Sequence, residues 1–277
     1  MNAPTAVRRG RRGARQAADS TVLEGVARAG MVAQGVLYIL IGLLALRIAF
    51  GGGGKSADQS GALHELAAQP FGRVLVWAVG LGLAGLALWR LSEALFGAAE
   101  RDGHKARKRL LSAGRFVFYS ALSFSVLSYA VGAKGTGSSD AKSQDVTARA
   151  LSVPAGQWLV GLAGLVIAGT GAWAVVQAAR RKHHEHMKMS AVPRRARGAV
   201  DALAVGGGVC RGVILVALGI FAVQAAVSSD SDEAKGMDGA LRSFADTPAG
   251  PWLLVVVAVG VTLFGLFSFT LARWRHV

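Results

Sequence analysis

Polar and ionisable side chains lie inside the long apolar stretches of this 277-residue chain, and they are the first candidates for chemistry. Charge in hydrocarbon is unfavourable, so such groups normally face a bundle interior, a water-filled cavity or an opposite charge, and they mark candidate ion or ligand sites. Arg211 lies about 12 Å inside its stretch at 1.5 Å per residue, deeper than an arginine easily reaches back to the surface. The sequence therefore predicts an intramembrane polar site that consists of Gln34, Arg90, Glu93, Arg115 and Arg211.

Glu93 is the one carboxylate within these stretches, so we expect it to be the counter-charge of Arg211 or Arg115. Two interpretations of the polar residues stay open. In the first, they form a structural ion pair, with the other arginine heads reaching towards the surface. In the second, they hold an ion or a ligand, which is the default hypothesis for charge within a membrane.

Three histidines lie close together in the fourth connection, at His183, His184 and His186, with Met187 and Met189 nearby. Imidazole and thioether groups bind transition metals, which makes the histidines a weak candidate metal site. The segment is basic, which opposes cation binding, and Glu185 is its nearest carboxylate. We therefore expect a solvated linker, with no metal and no cofactor.

The run Gly80-Leu81-Gly82-Leu83-Ala84-Gly85 has the glycine spacing of the dinucleotide-binding fingerprint. That fingerprint needs a preceding strand and a water-accessible helix start, whereas this run lies in the middle of an apolar stretch. Small residues let lipid-embedded helices approach one another closely. We interpret these glycines as helix-packing positions.

The apolar stretches do not carry a catalytic set. One carboxylate cannot serve as both general acid and general base, and no histidine lies within a stretch to activate a serine. The single cysteine, Cys210, has no second thiol for an intramolecular disulfide or a metal cluster, and we expect it to be a small buried residue. The sequence therefore does not predict an enzyme.

Six apolar stretches must position these residues, and each has about the twenty residues that cross the hydrocarbon layer as a helix. They are residues 31–50, 74–96, 113–132, 158–179, 203–227 and 252–272. Charged residues make up 17% of the chain, below the roughly 25% of soluble domains. Backbone groups in lipid must be satisfied within the segment, so we predict an all-α polytopic membrane protein with six transmembrane helices.

Basic residues concentrate in alternate connections. The chain has 31 lysines and arginines against 16 acidic residues, a net charge of +15, and most of the basic ones precede the first stretch or lie in the second and fourth connections. Short basic connections stay in the cytoplasm, so we predict a multi-pass protein of the cell membrane with both termini cytoplasmic. This placement favours anionic lipid head groups over nucleic acid as partners.

The stretches form three tandem copies of one hairpin, which is the strongest further signal. Each predicted outer connection ends in a proline with glycine two residues later, at Pro70, Pro154 and Pro248. Nineteen residues after each proline stands an aromatic residue, at Trp89, Trp173 and Phe267. In the odd-numbered stretches Gln34, Arg115 and Arg211 fall in register, followed four residues later by Tyr38, Tyr119 and Leu215.

These patterns divide the chain into a disordered basic tail, 1–25, and repeats at 26–100, 101–185 and 186–277. Each repeat has two spans, so the copies are parallel, and a pseudo-threefold bundle is a natural packing for them. A short apolar-periodic segment precedes each proline, which predicts an interfacial helix ended by that proline.

The three hairpins, the runs Gln34-Gly35-Val36-Leu37-Tyr38 and Arg211-Gly212-Val213, and the Pro-x-Gly entries resemble the bacterial membrane family known as domain of unknown function 1206. The resemblance covers about residues 25 to 273. Repeat two departs from the pattern with Phe116 in place of glycine, and repeat three with Leu215 in place of tyrosine. The resemblance implies membrane topology and no established activity.

Two functions follow from these features. The leading hypothesis is a membrane scaffold or interaction protein whose basic cytoplasmic face binds anionic lipid head groups, a protein partner or a second copy of the chain. The alternative is a small transporter or channel that uses Arg211, Glu93 and Gln34 within the spans.

Overall fold

The computed structural model describes residues 21–51, 56–97, 106–132, 137–182, 192–245 and 250–274. In these ranges a long helix, a short helix and a second long helix occur three times in succession. The first set is α1 (Thr21–Ala49), α2 (Gln59–Ala67) and α3 (Gly72–Phe96). The second set is α4 (Ala106–Ala130), α5 (Ser139–Leu151) and α6 (Gly156–Ala179). The third set is α7 (Arg194–Ser228), α8 (Met237–Ala245) and α9 (Gly250–Trp274), with a 3-10 turn at Ser231–Glu233.

The six long helices are long and apolar enough to cross a bilayer, which confirms the predicted polytopic all-α fold. At 35 residues α7 is about 52 Å long, more than the hydrocarbon requires, because it begins at Arg194 directly after Pro193. Its basic first turns extend past the apolar part at the end of the bundle where α1 begins and α9 ends. We call that end the terminal face, and the opposite end, with α2, α5 and α8, the loop face.

The predicted disordered tail, residues 1–25, overlaps the start of α1. Residues 21–25 belong to α1. The helix continues outward from the span to Thr21, because residues 21–24 contain no glycine or proline. Residues 1–20 lie outside the described part of the chain.

The short helices occupy the three connections in which interfacial helices are predicted, and side chains cap the first turns of α2 and α5. Asp58 precedes α2 and accepts a hydrogen bond from the backbone N–H of Gly61. Ser138 precedes α5 and accepts one from the N–H of Ala141. These caps satisfy backbone donors that the helix itself leaves unpaired.

The Pro-x-Gly sequences at Pro70 and Pro154 form turns of the same geometry. The middle residue is left-handed in both copies, with φ of 62° at Phe71 and 63° at Ala155. The next glycine is required because a Cβ on Gly72 would collide with the carbonyl oxygen of Ala67, and one on Gly156 with that of Ala150. The equivalence of Pro70 and Pro154 is thereby confirmed, whereas Pro248 lies outside the described residues.

The three repeats pack in cyclic order. The last span of each repeat packs against the first span of the next, so that α3 lies on α4, α6 on α7 and α9 on α1. A Cβ on Gly35 would lie 2.9 Å from the carbonyl oxygen of Gly265, and one on Gly212 would lie 2.9 Å from that of Gly171. Glycines at these positions therefore bring α1 and α9, and equally α7 and α6, into close backbone contact.

Two turns further along, equivalent residues again meet in all three interfaces. A Cβ on Gly219 would lie 2.6 Å from the carbonyl oxygen of Gly164, and the corresponding position in repeat one is Gly42 against Ala258. In repeat two the position holds Ser123, whose hydroxyl donates to the carbonyl oxygen of Gly80 over 2.9 Å. The three copies thus share one packing scheme around a pseudo-threefold axis.

The second repeat breaks this symmetry. The two spans of the first repeat, α1 and α3, pack against each other, and so do α7 and α9 of the third. Over the described ranges α4 and α6 make no extensive contact, and they are the least buried of the six spans. The circle of helices is therefore open between α4 and α6, and we call this gap the lateral opening.

Candidate functional site

Side chains from five spans meet in the half of the bundle nearer the terminal face. We call this group the polar cluster, and it contains Gln34, Tyr38, Arg90, Glu93, Ser112, Arg115, Tyr119, Arg211 and the ring of Phe264. All five residues predicted for the intramembrane site belong to it. They come together because the cyclic packing turns equivalent positions of the odd-numbered spans towards one axis.

Arg90 and Glu93 form the ion pair of the cluster. Their Nη1 and Oε2 atoms lie 2.6 Å apart, and the residues are 6% and 8% exposed. The Ser112 hydroxyl of α4 donates to the same Oε2 over 3.2 Å, and the Arg90 guanidinium lies 4.4 Å from the Trp89 ring. This carboxylate is thus held by two helices.

The predicted partner of Glu93 was wrong. The sequence argument favoured Arg211 or Arg115, whereas in the described part of the chain the ion pair forms with Arg90. Residues three apart on one helix face lie side by side, so Arg90 needs no other span to bring it to Glu93. Arg115 is attracted to Glu93 electrostatically at longer range.

Two of the three residues in register receive a tyrosine from the following repeat. The Tyr119 hydroxyl of repeat two donates to Gln34 Oε1 of repeat one over 3.3 Å. Arg211 of repeat three lies near the hydroxyl of Tyr38 of repeat one, and its guanidinium lies 4.9 Å from the Phe264 ring. The repeat register read from the sequence therefore places a tyrosine of the following repeat beside Gln34 and beside Arg211, with a hydrogen bond at Gln34.

The third position of this scheme is incomplete. Symmetry would give Arg115 of repeat two a tyrosine from repeat three, but residue 215 is leucine and has no hydroxyl. Within the described ranges Arg115 has no hydrogen bond or ion pair, and it is exposed. The charges of Arg90 and Arg211 repel it, and the charge of Glu93 attracts it at longer range. Arg115 also lies on α4, one of the two spans beside the lateral opening.

The charge of the polar cluster suits an anion. Three arginines against one glutamate give a formal net charge of +2 within the spans. Glu93 is already engaged by Arg90 and Ser112, so the charges of Arg115 and Arg211 are left without a carboxylate partner in the cluster. Chemically, the arrangement can hold a phosphate, a carboxylate or a small inorganic anion.

A second set of residues, at the loop face, was not predicted. We call it the aspartate ring, and it consists of Asp58, Asp140 and Asp238, each at the start of a short helix. Each carboxylate accepts a backbone N–H of the following repeat, from Ser139 at 2.6 Å, from Gly236 at 2.7 Å and from Ala57 at 2.6 Å respectively. The three hydrogen bonds close a circle that ties each repeat to the next.

Asp58 is the most enclosed member of the aspartate ring, with no exposed surface. Its carboxylate also accepts from the Ser60 hydroxyl at 2.6 Å and from the Gly61 N–H at 2.9 Å. Burial raises the pKa of Asp58, but the hydrogen bonds from Ser60, Gly61 and Ser139 outweigh it, so the pKa lies below its usual value. The group is therefore held as a carboxylate.

One sequence signal could have found the aspartate ring. An aspartate stands 12, 14 and 10 residues before the prolines Pro70, Pro154 and Pro248, directly before or within the first turn of the apolar-periodic segment. That is the place of a helix cap. The sequence argument treated these residues only as charges that dilute the basic ones.

The remaining candidates from the sequence, namely the histidines, Cys210 and the glycines, have less support as functional sites. His183, His184 and His186 lie outside the described residues, and in the described ranges no three metal-binding side chains of the His, Cys, Asp or Glu type come together. Cys210 is half-buried and not fully buried as expected, because it packs beside Gly260 of α9 at one side of its helix. Gly80, Gly82 and Gly85 are buried against neighbouring helices, in line with their interpretation as packing positions.

Comparison with known proteins gives two matches. A protein-family model described as Domain of Unknown Function (DUF1206) matches three consecutive stretches, residues 29–97, 112–181 and 206–275. An uncharacterized protein of Bacillus subtilis (strain 168), YxxB, is 32% identical over 261 residues, which covers 90% of each chain. No solved structure matches.

Proposed function

The chain belongs to the DUF1206 family and is a multi-pass membrane protein, and on this premise we propose that it is a membrane interaction protein whose terminal face binds anionic lipid head groups. We further propose that the terminal face lies in the cytoplasm and that the membrane is the cell membrane. Basic residues beside a span remain on the cytoplasmic side, where anionic lipids attract them.

The observation that carries this proposal is the different state of the basic residues at the two faces. At the loop face three arginines are paired, Arg149 with Asp145 and Arg242 with Asp238 at 2.9 Å, and Arg47 with Glu65 at 3.7 Å, while Arg73 is exposed. At the terminal face the ends of the spans expose six arginines, namely Arg109, Arg180, Arg181, Arg194, Arg195 and Arg273, of which Arg181 pairs with Asp201 at 3.9 Å. Each basic residue near an anionic surface adds about 1 kcal/mol of attraction.

Lipid binding to the purified full-length protein tests the proposal. Native mass spectrometry from detergent would compare retention of phosphatidylglycerol and phosphatidylcholine by wild type and by the variant Arg180→Gln/Arg181→Gln/Arg194→Gln/Arg195→Gln. We expect wild type to prefer phosphatidylglycerol, and the variant to lose much of this preference. Arg149→Gln is the matched control, because it removes an exposed arginine from the other face.

The preference should also weaken as salt rises, since exposed charges are screened over about 8 Å at physiological ionic strength. Equal retention of both lipids by wild type, or a preference that the fourfold variant keeps in full, would contradict the proposal.

A transporter or channel for small anions is the second candidate, favoured by the net positive charge of the polar cluster within the spans. Flux of protons and small anions into proteoliposomes, compared between wild type and Arg211→Ala, separates the two functions. Transport predicts flux that falls in the variant. Equal background flux in both would count against transport and leave the interaction protein as the proposal.

A further inference from the structure

The incomplete corner of the polar cluster differs chemically from the other two. Gln34 accepts a hydrogen bond from the Tyr119 hydroxyl and Arg211 lies near the Tyr38 hydroxyl, whereas Arg115 has Leu215 at the equivalent place. A guanidinium carries five N–H donors in a planar fork, and in the described ranges Arg115 uses none of them. Arg211, whose charge is close enough to repel it, is only half-buried. Neither guanidinium has a carboxylate partner in the polar cluster, because Glu93 is engaged by Arg90 and Ser112.

We propose that Arg115 and Arg211 form a binding site for a phosphate-type anion, entered through the lateral opening and occupied by the head group of an anionic lipid. The fork of an arginine matches two phosphate oxygens at once, and charge-assisted bonds of this kind are stronger than neutral ones. A bound phosphate would supply the negative charge that Glu93 cannot give, because Arg90 and Ser112 already engage it.

The position of Arg115 fits a lipid head group. It lies six residues beyond Arg109, where the apolar part of α4 begins, which is about 9 Å along the helix. An arginine side chain bridges such a depth to the head-group layer. Lys182 stands at the terminal end of α6, on the other side of the lateral opening, with its Nζ 5.8 Å from the Trp173 ring. Tryptophan and lysine are the usual residues at the level of lipid head groups.

The two spans beside the lateral opening carry exposed apolar side chains. They include Leu162, Leu165 and Val166 on α6 and Val117 and Phe118 on α4. A lipid would cover apolar surface of this kind with its acyl chains, whereas a free anion would not. The site deepens the proposed function, because it gives the preference for anionic lipid a defined location within the bundle.

The test is a titration of the detergent-purified full-length protein with phosphatidylglycerol, phosphatidylcholine or inorganic phosphate, followed by native mass spectrometry. We expect one phosphatidylglycerol to bind more tightly than the rest, and Arg115→Gln to weaken that binding about tenfold, since it removes charge-assisted hydrogen bonds. Arg115 is exposed, so the variant should fold, and a thermal melt checks this.

A second pair of variants adds a side-chain group at position 215, opposite Arg115 in the repeat pattern. Leu215→Tyr restores the missing hydroxyl and should weaken phosphatidylglycerol binding severalfold by giving Arg115 an internal partner. Leu215→Phe adds the ring alone and should retain the affinity.

The outcomes separate this inference from the proposed function. If Arg115→Gln binds phosphatidylglycerol as wild type does while the fourfold terminal-face variant does not, the inference fails and the proposed function stands. If wild type shows no preference for phosphatidylglycerol, both fail. If inorganic phosphate binds in an Arg115-dependent way and phosphatidylglycerol does not, the lipid assignment is overturned.

Discussion

The substitution Asp58→Asn probes how far the aspartate ring holds the repeats together. The asparagine keeps the size of the side chain but replaces one carboxylate oxygen by an NH₂ group. Asp58 Oδ1 accepts from Ser60 and Gly61, and Oδ2 accepts from the N–H of Ser139 in the next repeat. Whichever way the amide turns, one of these donors then faces another donor.

The expected loss follows from the number of bonds affected. A charge-assisted hydrogen bond contributes about 1.5–3 kcal/mol, and leaving a buried N–H unpaired costs about 1–3 kcal/mol more. No discount for solvent applies because Asp58 has no exposed surface. We therefore expect Asp58→Asn to lower the free energy of unfolding by about 3–5 kcal/mol. For a chain of 277 residues, at an unfolding entropy of about 2.1 cal/mol/K per residue, that corresponds to a fall in Tm of roughly 5–9 °C.

The assay is a thermal melt of the purified protein in detergent, with Asp145→Asn as the matched control. Asp145 lies on the exposed side of α5, in a surface pair with Arg149, and exposed pairs contribute at most about 1 kcal/mol. The control should therefore melt within a few degrees of wild type. If Asp58→Asn melts together with Asp145→Asn, the buried hydrogen bonds do not stabilise the repeat contacts and the reasoning is refuted.

Three further predictions follow. The pKa of Asp58 is lowered on folding, so the carboxylate stabilises the fold fully above its usual pKa of 3.8, and this stabilisation is lost as pH falls through the lower folded pKa. The Tm of wild type should therefore drop in that acid range, and the Tm of Asp58→Asn should drop much less. Glu93→Gln should lower the free energy of unfolding by about 3–5 kcal/mol, because it leaves Arg90 buried without its counter-charge. The double variant Glu93→Gln/Arg90→Gln should lose less stability than the sum of the two single variants. Strict additivity in the melts would disprove the coupling. A reporter fused after Val277 should be active only if it works in the cytoplasm, and activity of a strictly extracytoplasmic reporter would reverse the proposed orientation.

The spans and their repetition could be predicted because both depend on residues close together in sequence. A run of apolar residues determines a membrane helix, and the recurrence of Pro-x-Gly needs no knowledge of packing. The geometry of that turn explains its own signature, since Phe71 and Ala155 are left-handed and the following glycine has no room for a Cβ.

The contacts between repeats could not be predicted in the same way. The aspartate ring joins carboxylates to backbone N–H groups, and every residue except proline has such a donor, so the sequence does not identify the partner. The partner of Glu93 was missed for another reason, because the argument considered the arginines with the greatest need of an anion and overlooked Arg90 one turn away. The lateral opening depends on how α4 and α6 pack, which Phe116 and Leu215 indicated only as departures from the repeat.

The cyclic order of the helices has a consequence for how the molecule could acquire a single site. Three separate copies of one hairpin, assembled as a homotrimer, would show any substitution at all three corners, and each corner would have the same hydrogen bonds. Covalent fusion of three duplicated genes removes that constraint, because each copy can then mutate alone. The leucine at position 215 changes one corner and leaves the tyrosines of the other two in place. A trimer of identical hairpins would have the same three interfaces and the same three corners, whereas in this chain two corners have a tyrosine and the third has a leucine.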